Sequence, residues 1–600
     1  MKIIQYLGLG LFVIALGIFT LVPGLSKYEL SADDTVIKNE YHAVAIERAA
    51  KAQGLYDKEY GSTFDLSAAL ESVFDAAQED LKKRAGENGE NIPEGTDEWD
   101  YKLGDWKYSE YFTPEMFRDN SIGIVRDKPW MFFFLTIGLG ILGGLLYILP
   151  KFLPKPGIKH DHIYHSPMTR GLTLSWRVVI LGGTVIGILL YGVQKMYGSW
   201  FWPGISALVM GLITILVLVA QNSAKNRPAI SASPRFTAWL GMLTGAYLIG
   251  FYIFLYWAPQ HVAGWMVMTT PLSKILNGGE ASQWFVYGLL YTIVILVMGV
   301  RMISKYRHNN YQMIRTGSVM FFQTAFAFLI PEILSLLNQP SMDLKNIWPL
   351  NYSFFFGSNI DKLLEGGGLG IFMLVWGILL VIVAVPVITY FYGKRWYCSW
   401  VCGCGGLAET LGDPYRQLSD KSLRAWKYER FIIHGVLVFA VIMTGMVLFT
   451  YFTGTDKIGP LSSNNVKEWY GFFIGAAFSG VVGTGFYPLM GNRVWCRFGC
   501  PLAAYLGLVQ RFKSRFRITT NGGQCISCGN CSTYCEMGID VRDYAQRGQD
   551  IVRASCVGCG VCAAVCPRGV LRLENAGEDI ASRAVEKRAI HITEDQIGIL

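Results

Sequence analysis

All 13 cysteines of the 600-residue chain fall between Cys398 and Cys566. Eight of them form two matched runs near the C-terminus, CISCGNCSTYC (525–535) and CVGCGVCAAVCP (556–567), each with the spacing C-x2-C-x2-C-x3-C. Three thiolates this close together can wrap one 4Fe-4S cluster, and in two-cluster proteins the fourth cysteine of each run crosses to the other cluster. The spacing therefore assigns one cluster to Cys525, Cys528, Cys531 and Cys566, and a second to Cys556, Cys559, Cys562 and Cys535. Gly529, Gly558 and Gly560 let backbone N–H groups approach the sulfurs. A structural zinc site would call for two C-x2-C pairs without further cysteines at this spacing. The first run ends Cys535-Glu536 where the second ends Cys566-Pro567. That change alters polarity beside the second cluster, not its ligation.

Five cysteines remain. Cys398, Cys402 and Cys404 stand in RWYCSWVCGCGG (395–406), and Cys496 and Cys500 in RVWCRFGCP (493–501). C-x3-C places two thiols one helical turn apart. Two such elements at one membrane depth can face each other and hold a further iron–sulfur or other metal centre, or form a redox-active dithiol pair. Arg395, Arg493 and Arg497 lie close in sequence and are expected to lower the thiol pKa values. Buried inert thiols are the plain alternative, against which the matching of the two motifs weighs. Membrane haem needs axial histidines inside the spans, and only His434 qualifies clearly. His261 lies at a span end, His160, His162 and His165 share a polar loop, and no CxxCH is present. Glu332, beside Pro331, is the one intramembrane acid singled out, suited to proton transfer, quinone binding or a polar gap between helices. Trp396, Trp400 and Trp495 surround the C-x3-C pairs and can shield a cofactor from water. No catalytic residue is assigned.

The elements that must position these thiols are membrane helices. At 52% hydrophobic residues and a mean hydropathy of +0.31, the chain is too apolar for a soluble protein of this length. About ten spans are expected, near 3–23, 131–150, 177–197, 205–221, 236–256, 283–303, 316–337, 369–391, 431–452 and 470–490. The loops 151–170, 221–235, 301–315, 393–398 and 421–430 are rich in Lys and Arg and fall on one side when ten spans are threaded. That side is read as cytoplasmic, with both termini and all the cysteine motifs on it. The net charge of +8 then belongs to membrane topology, and nucleic acid is not a partner. Clustering of every cysteine between Cys398 and Cys566 argues against a disulfide framework and for metal or redox chemistry.

The expected organisation is an uncleaved anchor (1–23), an exported segment (24–128), spans two to seven with their loops (129–368), a membrane core carrying both C-x3-C motifs (369–511), a two-cluster ferredoxin domain (512–572) and a tail (573–600). Within the exported segment, 65–84 has the periodicity of an amphipathic helix. The segment reads as a helical cap or docking surface. The fold class is thus mainly α: a polytopic membrane protein of the cytoplasmic (inner) membrane with a C-terminal bacterial-type ferredoxin domain.

Over 369–572, the elements CSWVC (398–402), CRFGCP (496–501) and the two C-terminal runs resemble the NosR/NapH-type membrane polyferredoxins, a group that also includes CcoG-like proteins. The resemblance implies a membrane iron–sulfur protein that moves electrons from the quinone pool or a cytoplasmic reductant toward exported respiratory enzymes. The family pattern is CxxxCP twice, whereas here the first copy continues Cys402-Gly403-Cys404, and the exported flavin domain of NosR has no counterpart. The expected function is electron transfer between a cytoplasmic or quinone-level donor and a respiratory or redox partner, as a subunit of a larger complex in the bilayer. Its expected cofactors are two 4Fe-4S clusters plus the further thiolate-bound centre. Two alternatives stand beside it: a CcoG-like metal-reducing assembly factor, and a membrane scaffold anchoring a partner enzyme.

Overall fold

The computed structural model describes residues 2–31, 37–86, 91–92, 98–104, 106–152, 183, 236–455, 457–575, 590–593 and 596–599. The chain folds as two compact units, one mainly Met1–Lys151 with Phe251–Leu290, the other mainly Tyr291–Leu600.

The first unit opens with α1 (Lys2–Leu25), apolar around its whole circumference. β1 (Lys27–Glu29) pairs antiparallel with both later strands of a small sheet. Next come α2 (Glu40–Ala52), β2 (Glu59–Tyr60), α3 (Thr63–Ala85) and β3 (Ser121–Ile122), giving the strand order β2-β1-β3. The amphipathic stretch expected over 65–84 is α3. Ser62 caps it through a bond from the Asp65 amide, and Leu66, Leu70, Phe74, Ala77 and Leu81 recur on its buried face. These side chains form a core with Tyr28, Ile46 and Phe117. The described residues of 24–128 thus combine helices and a three-stranded sheet around one core. His261 belongs to this unit: its Nδ1 lies 2.7 Å from the Thr63 hydroxyl and its ring stacks on Phe64. That imidazole is engaged in packing.

The apolar helices continue with α4 (Pro129–Pro150), then α5 (Phe236–Trp257) and α6 (Ala263–Asn277), and α7 (Gln283–Tyr306). In the second unit follow α8 (Asn310–Leu336), α9 (Gly367–Tyr392), the short α10 (Gly403–Thr410), α11 (Leu423–Thr453) and α12 (Pro501–Lys513). α8 and α9 each widen to π geometry just ahead of a proline, at Ala325–Leu329 before Pro331 and Leu380–Ala384 before Pro386. Proline lacks the N–H an α-turn needs, and a wider turn accommodates it.

Among the described residues six helices are long and apolar enough to cross a membrane: α1, α4, α7, α8, α9 and α11. A seventh span arises if the pair Gly241–Trp257 and Pro259–Asn277, bent by 113°, is counted as one. The expected count of ten is not confirmed among the described residues. The expected spans 177–197 and 205–221, like His160, His162 and His165, lie outside the described residues. The stretch 470–490 is not a single span. It belongs to a helical run that begins at Ser463, widens to π geometry over Gly471–Val482 and ends at Gly485, followed by a separate turn at Tyr487–Met490. Five glycines weaken its apolar character, and Tyr352 packs so closely that a Cβ at Gly475 would lie 3.0 Å from its ring.

The cysteine-rich C-terminal region hangs on β4 (Phe516–Thr520) and β5 (Leu571–Asn575), antiparallel in the register Phe516↔Asn575 to Thr520↔Leu571. This pair ties together the two ends of the segment that holds both runs. Ile518 and Ile551 exchange backbone bonds of 3.2 and 2.9 Å and brace its middle.

Candidate metal centres

The two C-terminal runs fold as copies of one another. Ser527 and Gly558 occupy matching positions with φ of 56° and 60°, and Gly529 and Gly560 match with φ of 77° and 73°. Each second glycine caps a single helical turn, Asn530–Thr533 or Val561–Ala564. These left-handed residues fold the chain back on itself, which is what brings thiols three residues apart to one point. Cys531 interacts electrostatically with Cys525, Cys528 and Cys566, and these four line one cavity together with Ile526 and Arg542. Cys562 interacts with Cys559, Cys535 and Cys556, and also with Cys531 of the first group. Burial pushes the thiols up, Cys531 and Cys559 to about 12 and Cys556 to about 11.

The two groups differ in surroundings. The cavity of the first is rimmed by exposed Ile526, Ser527 and Pro567. The loop of the second faces inward, and four successive carbonyls each accept a side-chain bond. Gln510 donates to Cys556 O at 2.9 Å, Ser399 to Val557 O at 2.7 Å, Tyr311 to Gly558 O at 2.9 Å and Gln312 to Cys559 O at 2.7 Å. The donors come from the start of α8, the segment 395–402 and α12. Gly558 admits this approach: a Cβ there would lie 2.6 Å from Cβ of Arg395.

The five upstream cysteines gather just beyond α9 and the 470–490 segment. The second cysteine of each motif is a helix N-cap: Cys402 for α10 and Cys500 for α12, where Cys500 Sγ accepts from the Ala503 amide at 3.3 Å. Helix N-termini favour negative charge, so both positions suit a thiolate. Arg493 joins the motifs, donating to Cys398 O at 3.3 Å and to Cys496 Sγ at 3.6 Å. Gly405 makes room, since a Cβ there would collide with the Cys398 carbonyl oxygen. Cys500 interacts with Cys496, Cys402 and Cys398, and Cys404 with Cys402, Cys496 and Cys500. The expected lowering of all these thiols is corrected. Burial outweighs the cations and pushes Cys398 up to about 12, with Cys496 and Cys500 also raised. Cys402 alone is lowered, to about 6, through its hydrogen bond with Cys404, which is raised in turn. Arg395 is not at the thiols: it lies over the Phe516 ring and bonds Asn575. Arg497 is held by Glu429 at 2.7 Å. Lys394 takes Arg395's expected place beside Cys398.

Residues 374–422 and 470–519 match the family model described as a 4Fe-4S binding domain, and 524–571 match the 4Fe-4S dicluster domain. The C-terminal part of the chain thus carries 4Fe-4S ferredoxin-type domains. It is 27% identical over 173 residues to YccM of Escherichia coli (strain K12), named as a putative electron transport protein, covering 27% of this chain and 47% of that one. It is 30% identical over 166 residues to the methylamine utilization ferredoxin-type protein MauN of Paracoccus denitrificans, covering 26% of this chain and 53% of that one. MauN of Methylobacillus flagellatus is 26% identical over 161 residues, again 26% of this chain and 52% of its own length. The chain thus spans about half the length of these relatives. No solved structure matches it.

Between the two cysteine regions lies a buried ion network that sequence reading missed. Glu409 pairs with Arg315 and Arg493. Arg493 reaches Glu536 at 3.1 Å, and Glu536 meets Arg416 at 2.8 Å and the Asn492 amide at 3.1 Å. Arg416 continues to Asp413 at 3.3 Å, which also takes Arg301 at 2.7 Å and Lys305 at 2.6 Å. Burial raises Glu536, but Arg416, Arg493 and Arg315 more than offset it and hold the carboxyl down at about 2. Burial also raises Asp413, yet Lys305, Arg301 and Arg416 keep it well below the usual carboxylate range. Arg301, Lys305, Arg315, Arg416 and Arg493 outnumber the carboxylates Glu409, Asp413 and Glu536 by two. Buried excess charge is costly unless an anion answers it. Carboxylate oxygens of Glu409 and Glu536 come within 4.8 Å of Cys559 Sγ. Those oxygens are occupied by guanidinium groups, so the trio is not a cation site. The surplus cations instead face the thiols, and four thiolates around a 4Fe-4S core carry the net negative charge that would balance them. The residues present therefore fit iron–sulfur clusters.

Glu536 stands where the matching run has Pro567, and the structure gives that substitution its reason: a fully buried acceptor is needed there. The signal in the sequence was Glu409 and Asp413, two acids immediately downstream of the first C-x3-C. His434 Nδ1 lies 2.6 Å from Arg430 O on its own helix, and the residue joins no cysteine group. Glu332 is half-buried and distant in sequence from every motif. Trp495 is buried against Phe478, and Trp400 donates to Tyr311 at 3.2 Å, so these two do wall the sites.

Proposed function

We propose that the polyferredoxin relays single electrons between a donor at its exposed cysteine rim and a partner reached through the membrane-base thiols. The carrying observation is the inward docking of the second run, four consecutive carbonyls bonded to residues of the membrane core. With the first run at an exposed rim, this orders three thiol sets from surface to membrane base. In this reading Cys525, Cys528, Cys531 and Cys566 hold one 4Fe-4S cluster, and Cys556, Cys559, Cys562 and Cys535 the second. Cys398, Cys402, Cys496 and Cys500 hold a further centre, with Cys404 beside it. Iron–sulfur clusters take up and release one electron at a time. Gln510, Ser399, Tyr311 and Gln312 fix the middle set against the base, Arg493 spans the interval, and the buried network excludes water between them.

The setting that goes with this role is the cytoplasmic membrane, with the ferredoxin region on the basic, cytoplasmic side. The donor is a cytoplasmic reductant or a quinone-level one, and the acceptor a redox protein in a membrane complex. The names of YccM and MauN support the electron-transport and ferredoxin-type part of this reading. Iron analysis with redox-poised EPR on protein purified anaerobically in mild detergent tests it. About twelve irons per chain are expected for three clusters, and about eight for two. An iron-free chain rejects the relay, while copper retained at the upstream cysteines identifies the metal-reducing assembly role instead.

A further inference from the structure

A cleft of about 230 Å³, open to the surface, reaches Cys496. One wall is a face of α11, presenting Trp426, Glu429, Arg430, Ile433 and His434 at helical spacing. The opposite wall is α12, where Ala503 and Ala504 leave the hollow and Arg511 stands at the far end. The third is Tyr544 with the stretch 552–555.

The charge of this lining is lopsided. Lys394, Arg430, Arg497, Arg511 and Arg553 face it, against the single carboxylate of Glu429. That carboxylate is committed to Arg497. Among the described residues no carboxylate lies within ion-pair distance of the side chains of Lys394, Arg430, Arg511 or Arg553. Lys394 is 1% exposed and also lies beside the thiols Cys398 and Cys556, so the charge left unanswered in the cleft is that of Arg430, Arg511 and Arg553. Arg430 and Arg553 both lie over the Trp426 ring, at 5.1 and 4.8 Å from its centroid. Stacking uses the flat face of a guanidinium and leaves its N–H edge free to bond an oxyanion. Two stacked guanidinium groups and a further arginine in one concavity make a receptor for a tetrahedral oxyanion with an apolar extension toward Ile433 and Leu508.

We infer that this cleft binds a phosphate group. Its place favours a membrane source. The lining residues of α11 occupy the first turns of a helix long enough to span, and the same turns expose Phe431 (81%) and Leu423 (75%). Basic pockets at the base of membrane helices take the headgroups of anionic lipids. A soluble phosphate offers the same oxyanion without the chains. The inference does not depend on the electron relay, although a ligand here would lie against Cys496 and would screen that thiol site from solvent.

Calorimetric titration of the detergent-solubilised full chain distinguishes the sources, with dioctanoyl phosphatidylglycerol, dioctanoyl phosphatidylcholine and inorganic phosphate as probes. Saturable binding of phosphatidylglycerol at least tenfold tighter than the other two supports a lipid headgroup site. Equal binding of inorganic phosphate supports the site with a soluble ligand. In either case the double variant Arg430→Gln/Arg553→Gln loses at least tenfold in affinity, and Arg424→Gln, exposed on the same helix outside the cleft, loses none. Should the double variant fail to fold, Arg511→Gln at the exposed end gives a smaller loss in the same titration. Absence of binding by all three probes, or binding indifferent to the cleft arginines, overturns the inference.

Discussion

The guanidinium of Arg493 lies 3.1 Å from the carboxylate of Glu536, while its other terminal nitrogen sits 3.6 Å from Cys496 Sγ. One side chain thus touches a thiol of the C-x3-C pairs and the carboxylate that abuts Cys559. Replacing Glu536 by Gln removes a buried negative charge and leaves Arg416 and Arg493 short of a partner. Loss of one member of a buried pair costs about 3–5 kcal/mol, to be read by chemical denaturation. The same change should raise the midpoint potential of the second cluster, because a nearby anion disfavours the added electron. EPR redox titration reads that shift, and Glu536→Asp should restore most of it. An unchanged potential would separate Glu536 from the electrostatics of the site.

The same carboxylate predicts an acid response. Its pKa falls from the ordinary 4.5 to about 2 in the fold. A depressed carboxyl stabilises the native state above its unfolded value and loses that contribution as pH falls toward the folded one. Thermal stability of the wild type should therefore drop between about pH 4.5 and 2, with Asp413 adding to the slope in the same direction. The Glu536→Gln variant should show a shallower drop over that window.

The matched caps at Cys402 and Cys500 predict which upstream thiols are indispensable. Cys496→Ser should abolish the iron signal of the membrane-base site while leaving the two ferredoxin signals in place. Cys404→Ser should retain it, since the two C-x3-C pairs already supply four thiols. Gly405→Ala should lose it without touching a ligand, because the new methyl would collide with the Cys398 carbonyl. Iron counts and low-temperature EPR on the three variants check the pattern.

Ser527 and Gly558 hold equivalent left-handed conformations in the two runs, so substitution there should have opposite signs. Ser527→Gly relieves a strained φ of 56° and should stabilise by about 1 kcal/mol or less. Gly558→Ala imposes the same strain and adds clashes with Arg395 and Phe516, at 2.6 and 2.9 Å. It should destabilise by more than about 1 kcal/mol and loosen the docked loop, seen as faster hydrogen exchange around 556–562.

Cysteine spacing is short-range information, and the chain displays it openly: two runs, two C-x3-C pairs, and long apolar stretches among which α1, α4, α7, α8, α9 and α11 are helices of spanning length. The helix over 65–84 is equally visible, because its buried face repeats every three to four residues. Periodicity was less informative where glycine intervenes. Over 470–490 the apolar count is that of a span, but Gly471 and Gly475 let Tyr352 press in, Gly485 lets Ile249 approach, and the helix widens and breaks.

Long-range pairing is another matter. Nothing local in the chain says that Glu536 meets Arg416 and Arg493, that Lys394 rather than Arg395 flanks Cys398, or that Gln510, Ser399, Tyr311 and Gln312 converge on four adjacent carbonyls. Partners far apart in the sequence are chosen by packing, and an isolated charge in a sequence carries no mark of burial. Burial also reversed the sign expected for the upstream thiols, since removing water from a thiolate outweighs the pull of nearby arginines at all but one of them. The residue types that can do chemistry are therefore legible in the chain as written, while their charge states and their spatial order arise only when distant segments enclose them.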